Sequence, residues 1–189
     1  MKKIRWMAVV SLAALIGLAV TAQSLAGKKA DEKNKADGAS ISPRFTIVDT
    51  NCVIDNKNGL MWAGNASLNG VNQLSWADAI AFCKNLNYGG FSDWRLPNIR
   101  EFWTLMDTKY KRLVIPNTAG TDQMKNKDPF TGVQTISGGR RYYWATTTTA
   151  GKPAGPWLIT MFDGTVAQGQ GCETNTGFVW PVREVKKVK

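Results

Sequence analysis

One stretch of apolar residues at helical spacing begins just after Ser75 and continues to Leu86. Its apolar members are Trp76, Ala79, Ile80, Cys83 and Leu86. Three or four residues separate most neighbours in this set, so they share one helical face. Ser75 is a good N-cap, and Asp78 three residues later suits the positive end of a helix. The pattern predicts an amphipathic helix over 75–86 that buries Cys83.

A second helix is predicted directly after Pro97. Asn98 is a good N-cap, and Glu101 stands at the reciprocal position of a capping box. The apolar stripe behind this cap consists of Ile99, Phe102, Trp103 and Met106. We expect these four side chains to face the core.

The remaining apolar runs have the composition of strands. Arg44–Ile54 is followed by the turn cluster Asp55–Gly59 and then by the apolar Leu60–Trp62, which predicts strand, turn, strand. Further strands are predicted at Tyr142–Thr147, Trp157–Phe162, Thr165–Ala167 and Phe178–Val185. Asp163-Gly164 indicates a two-residue hairpin turn. Pro181 places the last strand at a sheet edge or at a bulge.

Between these elements, Lys109–Gly139 has no clear period and contains Pro116 and Pro129. Such a segment is either an ordered excursion that carries function or a mobile loop. Two helices flanked by strand-like runs predict an α+β domain.

Composition removes several kinds of chemistry. The 189 residues include no histidine, which excludes histidine-based nucleophilic catalysis, histidine-ligated metals and an imidazole pH switch. Lys and Arg number 24 and Asp and Glu number 14, so the formal net charge is +10. This excess favours either simple solubility or attraction to an acidic polymer or an anionic surface.

The first residues are typical of a secretory signal peptide. Lys2, Lys3 and Arg5 precede an uncharged apolar run from Trp6 to Val20, and small-x-Ala sequences follow at 20–22 and 24–26. We therefore predict a signal peptide over 1–26, a flexible charged linker over 27–40, a domain over 41–185 and a basic tail over 186–189. Position 28 is lysine, where a lipoprotein would need cysteine. Without the three basic residues of the signal peptide, the charge of +10 falls to +7. The predicted location is periplasmic or extracellular.

Export changes the interpretation of the cysteines. Cys52, Cys83 and Cys172 are expected to form one disulfide and to leave one thiol, with all three pairings open. No CxxC is present, so neither a metal site nor a metal cofactor is predicted.

Several segments, in this order, resemble one family. They are Asp55–Trp62, the helix from Ser75-Trp76 to Cys83–Leu86, Ser92–Asn98 (SDWRLPN), Tyr143-Trp144, Phe162–Gly164 and Val182-Arg183. Together they resemble the C-terminal domain of the Legionella collagen-like adhesin over roughly residues 44–184. That family is similar to the C-type-lectin-like superfamily, which includes formylglycine-generating domains. The resemblance implies two helices packed on a twisted, mainly antiparallel sheet with a long loop region.

A structural interpretation is preferred for the most specific of these segments. Its residues of interest are Asp93, Trp94, Arg95, Pro97, Asn98 and Glu101. We expect Arg95 to pair with Asp93 or with backbone carbonyls while Trp94 fills the core. A catalytic role for the Asp93–Arg95 cluster is the alternative.

The function implied by the resemblance is non-catalytic, adhesin-like binding of acidic or sulfated polysaccharide, or of a surface protein of the cell envelope. Candidate contacts are the basic residues Lys109, Lys111, Arg112, Lys125, Lys127, Arg140, Arg141 and Lys152. One alternative is a structural protein of the envelope or a subunit of a secreted assembly. Another is an oxidase of the formylglycine-generating kind, which needs two nearby cysteines in its C-terminal part, where 171–183 carries only Cys172. Nucleic acid is not an expected partner, because no predicted helix has a basic face.

Overall fold

The first strands form where short polar turns interrupt apolar residues. The computed structural model describes residues 42–70, 72–135, 141–150, 155–169 and 176–185. Strands β1 (Phe45–Ile47) and β2 (Cys52–Asp55) are antiparallel. The carboxylate of Asp49 accepts hydrogen bonds from the backbone N–H groups of Asn51 and Cys52 at 2.6 and 2.9 Å, which stabilises the turn between them. The prediction of one strand over Arg44–Ile54 is therefore wrong, because this side-chain bond folds the run into a hairpin.

The predicted turn after β2 is confirmed. The carbonyl of Asp55 accepts from the N–H groups of Asn58 and Gly59, and Gly59 has a φ of 66°. Strand β3 (Leu60–Ala63) then pairs with β2 along its full length, and all four of its residues are buried.

Helix α1 (Trp76–Lys84) is shorter than predicted but begins as expected. The Ser75 side chain accepts from the N–H of Asp78 at 3.2 Å. Ala79 and Cys83 are buried, whereas Ile80 is 37% exposed, so its predicted burial is wrong.

Helix α2 (Ile99–Leu105) has the predicted capping box between Asn98 and Glu101. Ile99, Phe102 and Leu105 are buried, whereas Trp103 is 54% exposed. Successive residues of a helix are about 100° apart around its axis. The core-facing direction is centred on Phe102, so Trp103 is turned away from the core. In α1, Ile80 directly follows the buried Ala79, and it is turned away from the core for the same reason.

A second sheet is formed by β4 (Tyr143–Thr148), β5 (Pro156–Ile159) and β6 (Val166–Gln168), all antiparallel and in that order. The hairpin predicted at Asp163-Gly164 is present, but its connection is longer than two residues. The N–H of Thr160 donates to the carbonyl of Thr165, so the loop between them contains 161–164. The side chain of Met161 is fully buried, so this loop packs against the core.

The chain returns to the first sheet with β7 (Val182–Glu184), which pairs with β3 in the order β1-β2-β3-β7. The predicted strand over 178–185 is thus shorter in the structure. Pro181 directly precedes β7, and its carbonyl accepts from the N–H of Ala63 at 3.0 Å. The predicted edge position is confirmed, since β7 is the last strand of this sheet. Over the described residues the protein is therefore a mixed α+β structure with two helices and antiparallel sheets.

The described part of the long segment, up to residue 135, is packed against the core. Ile115 and Phe130 are fully buried, the N–H of Met124 donates to the Ile115 carbonyl, and that of Val114 donates to the Met161 carbonyl. This packing favours the ordered excursion over the mobile loop for these residues.

None of the helices in the described ranges is both long and apolar enough to cross a membrane. The signal peptide, the linker and the basic tail, as predicted, lie outside the described residues.

Candidate functional site

Most of the predicted basic contacts lie on residues 107–128 of the excursion, which we call the basic loop. The side chain of Gln123 donates to the carbonyls of Lys111 and Leu113, at 2.6 Å in both cases. This bridge holds the two halves of the loop side by side. The structure therefore brings Lys111 close to the segment that carries Lys125.

Two lysines of the basic loop are partly neutralised by neighbouring carboxylates. Lys109 pairs with Asp107 and Lys125 with Asp122, each with a nitrogen–oxygen distance of 2.8 Å. The hydrogen bond to its partner raises the pKa of each lysine, and the same bond lowers the pKa of each aspartate. All four groups are charged at neutral pH.

Three more cations of the basic loop are exposed and have no carboxylate within 4.0 Å among the described residues. They are Lys111, Arg112 and Lys127. Asp128, the third acid of the loop, bonds to Thr118 instead. Five basic residues thus stand against three acidic ones, and the loop is positive overall.

Arg141 is placed elsewhere, in packed surroundings. Its guanidinium donates to the Gln134 side chain at 2.8 Å and lies 5.6 Å from the centre of the Phe178 ring. No contact joins it to the basic loop within the described part of the chain. The other two predicted cations, Arg140 and Lys152, lie outside the described residues.

The arginine expected to pair with Asp93 has a different partner. Arg95 forms two hydrogen bonds with Glu101, at 2.8 and 2.7 Å, and donates to the Leu96 carbonyl at 3.3 Å. The bonds to Glu101 raise the pKa of Arg95. Of the two partners expected for Arg95, a backbone carbonyl is confirmed at Leu96. The pairing with Asp93 is wrong, because Glu101 at the start of α2 presents its carboxylate to Arg95.

Asp93 instead binds Arg183, with nitrogen–oxygen distances of 2.5 and 3.1 Å. Arg183 is buried, and its guanidinium carbon lies 3.9 Å from the centre of the Phe91 ring. The pair therefore connects the segment before α2 to β7.

Trp94 and Pro97 are both buried. The indole N–H of Trp94 donates to the carbonyls of Tyr88 and Phe91, at 3.0 and 3.1 Å, and the Pro97 carbonyl accepts from Thr146. Residues 93–97 of this segment are therefore occupied by packing, ion pairs and backbone bonds.

Two of the three cysteines are described, and both are free, buried thiols. Of the three pairings left open by the sequence, that of Cys52 with Cys83 is absent, because the two side chains belong to separate core clusters. Burial raises the pKa of Cys83 to about 12 and also raises that of Cys52. Because both thiols are free, neither Cys52 nor Cys83 forms the predicted disulfide. Cys172 lies outside the described residues.

These pKa shifts predict low thiol reactivity. In native protein treated with iodoacetamide at pH 8, Cys52 and Cys83 should be alkylated at least tenfold more slowly than in urea, because the thiolate is the reactive form and both sulfurs are buried. Peptide mass spectrometry after a timed quench measures each site separately. Rapid labelling of either cysteine in the native protein would contradict the burial described here.

The described residues contain no group of three or more histidine, cysteine or carboxylate side chains able to hold a metal ion.

A cationic site that the sequence analysis missed lies beside the start of β1. An open groove of about 310 Å³ is lined by Ser42, Pro43, Arg44, Asn56, Lys57, Ala119 and Gly120. The side chain of Lys57 is exposed, and its ammonium group has no carboxylate oxygen within 4.0 Å among the described residues. The sequence feature that could have indicated this site is Lys57 itself. It lies in the middle of the Asp55–Gly59 turn, where its side chain is exposed.

Comparison with known proteins gave one match. The family model described as the Lcl C-terminal domain matches residues 51–183, which is more than half of the chain. No curated protein and no solved structure matched.

Proposed function

Because the chain belongs to the Lcl C-terminal domain family, we propose that it is an exported, non-catalytic binding module that recognises acidic or sulfated polysaccharide in an adhesin-like role. A C-type-lectin-like fold is part of this proposal. It is supported by the two helices, the antiparallel sheets and the long ordered excursion.

The observation that carries the proposal is the basic loop. Its cations are held in one region by the Gln123 bridge and by core residues such as Ile115. A segment fixed in this way loses little conformational freedom on binding. Lysine and arginine form charge-assisted hydrogen bonds with sulfate and carboxylate groups.

The two described thiols support the part of the proposal that excludes cysteine-based catalysis. A cysteine nucleophile needs a lowered pKa and access to substrate. Cys52 and Cys83 have raised pKa values and are buried.

The test compares two variants that each remove two exposed positive charges. Lys111→Gln with Lys125→Gln changes the basic loop, whereas Lys84→Gln with Arg100→Gln changes the two helices. Binding of the purified chain to immobilised heparin is measured at 50 and 500 mM NaCl. We expect the loop variant to lose about three- to tenfold in affinity at low salt, since exposed ion pairs are worth little individually.

The helix variant should bind like the unchanged chain, and high salt should abolish binding in every case by screening. No binding of the unchanged chain at low salt would overturn the proposal. Equal losses in the two variants would show that only net charge matters, and would overturn the role of the basic loop.

A further inference from the structure

The groove beside β1 is held in shape by contacts within the protein. The side chain of Arg44, only 12% exposed, forms its floor, pairs with the fully buried Asp55 and donates to the carbonyl of Thr104 at 2.5 Å. On one wall, the backbone of Gly120 lies so close that an added Cβ would be 2.6 Å from the Cβ of Arg44. The N–H of Phe45 donates to the carbonyl of Thr118, which ties this wall to β1.

The polar side chains of the groove offer one cation, one unused acceptor on Asn56 and the hydroxyl group of Ser42. The charge of Arg44 is already balanced by Asp55, so Lys57 is the cation available to a ligand. The two N–H groups of the Asn56 amide are used by the Pro43 carbonyl and the Thr46 hydroxyl, each at 2.8 Å. The Asn56 amide oxygen has no donor among the described residues. No carboxylate lines the groove.

These groups select a particular kind of ligand. An anionic group can pair with Lys57, and a hydrogen-bond donor on the same molecule can bind the Asn56 oxygen. Inorganic sulfate supplies the charge but no donor, whereas a sugar acid supplies an anionic group and hydroxyls together. Pro43 and Ala119 add an apolar surface that suits the C–H face of a sugar ring. A volume of about 310 Å³ has room for one such unit.

We propose that this groove binds a single anionic sugar unit, with Lys57 pairing with its carboxylate or sulfate and Asn56 accepting from a ring hydroxyl. The inference rests on the proposed recognition of acidic polysaccharide. The groove would bind one saccharide unit specifically, whereas the basic loop attracts the polysaccharide through its positive charge.

The probe for the test is the methyl glycoside of glucuronic acid, titrated into the isotopically labelled chain and followed by backbone amide NMR. Methyl glucoside and sodium sulfate serve as ligands that lack the charge and the hydroxyls, respectively. We expect saturable shifts at residues 56, 57, 119 and 120 with the glucuronoside, and at least tenfold weaker binding of the other two compounds.

Two variants of the groove and one control distinguish a sugar bound in the groove from general attraction to positive charge. Lys57→Gln should weaken glucuronoside binding about tenfold. Ala119→Phe, at an exposed position, fills the groove without changing charge and should abolish binding. Lys84→Gln, on helix α1, removes the same charge away from both the groove and the basic loop, and should leave glucuronoside affinity unchanged. Unchanged thermal unfolding curves show that the variants are folded.

Three results would overturn the groove as a sugar site. They are unaltered affinity in Ala119→Phe, equal binding of sulfate, and no binding of the glucuronoside. If heparin is still bound in any of these cases, the proposed function stands without the groove. If heparin binding is also absent, the proposed function fails independently.

Discussion

Replacing Trp180 with alanine is expected to lower the free energy of unfolding by about 4 kcal/mol, the largest loss among the substitutions considered. Trp180 is fully buried, and its ring centre lies 5.0 Å from that of Phe130, 5.4 Å from that of Trp62 and 5.5 Å from that of Tyr143. Its indole N–H donates to the Ala63 carbonyl at 2.9 Å. The substitution removes these aromatic contacts, leaves a cavity and deprives a buried carbonyl of its donor.

Urea unfolding followed by far-UV circular dichroism measures this loss. Trp103→Ala is the matched control, because it removes the same side chain from the exposed face of α2. We expect the control to change stability by less than about 1 kcal/mol. Similar losses in both variants would contradict the different burial of the two tryptophans.

Replacing Asp55 with alanine is expected to cost about 3 kcal/mol, because it removes one partner of a buried ion pair. The Asp55 side chain is fully buried and binds the Arg44 guanidinium. It also accepts from the N–H of Lys57 at 3.0 Å and from the side chain of Asn58 at 2.7 Å. The variant leaves the charge of Arg44 uncompensated in a largely buried position and also loosens the turn that carries Lys57.

The control for this prediction is Asp122→Ala, which breaks an exposed pair with Lys125. Water and salt screen that pair, so its loss should change stability little. Urea unfolding at two salt concentrations compares the variants. A loss in Asp55→Ala no larger than that in Asp122→Ala would refute the importance of the buried pair.

The parts of the fold predicted from sequence depend on neighbouring residues. Both helix starts followed from side chains that bind backbone N–H groups three residues away, at Ser75 and Asn98. The turn at Asp55–Gly59 is equally local. The rotation of each helix was misjudged because spacing alone does not tell which neighbouring apolar residue, Phe102 or Trp103, faces the core.

Contacts between distant segments were not predictable in this way. Arg183 and Asp93 are 90 residues apart in sequence, and nothing near either residue indicates the pair. The groove could not be predicted for the same reason, since residues near 42, 56 and 119 are distant in sequence and meet only after folding. The basic loop was found because its lysines are close together in sequence, whereas Lys57 stands alone.

The pairing of β3 with β7 has a kinetic consequence. Met61 and Arg183, opposite each other in this ladder, are separated by 122 positions, almost the whole described chain. Closing so long a loop lowers the chain entropy before the stabilising contacts form, and high contact order slows folding. The four-stranded sheet therefore completes late. On the proposed export route, this sheet closes only after β7 has followed β3 across the membrane.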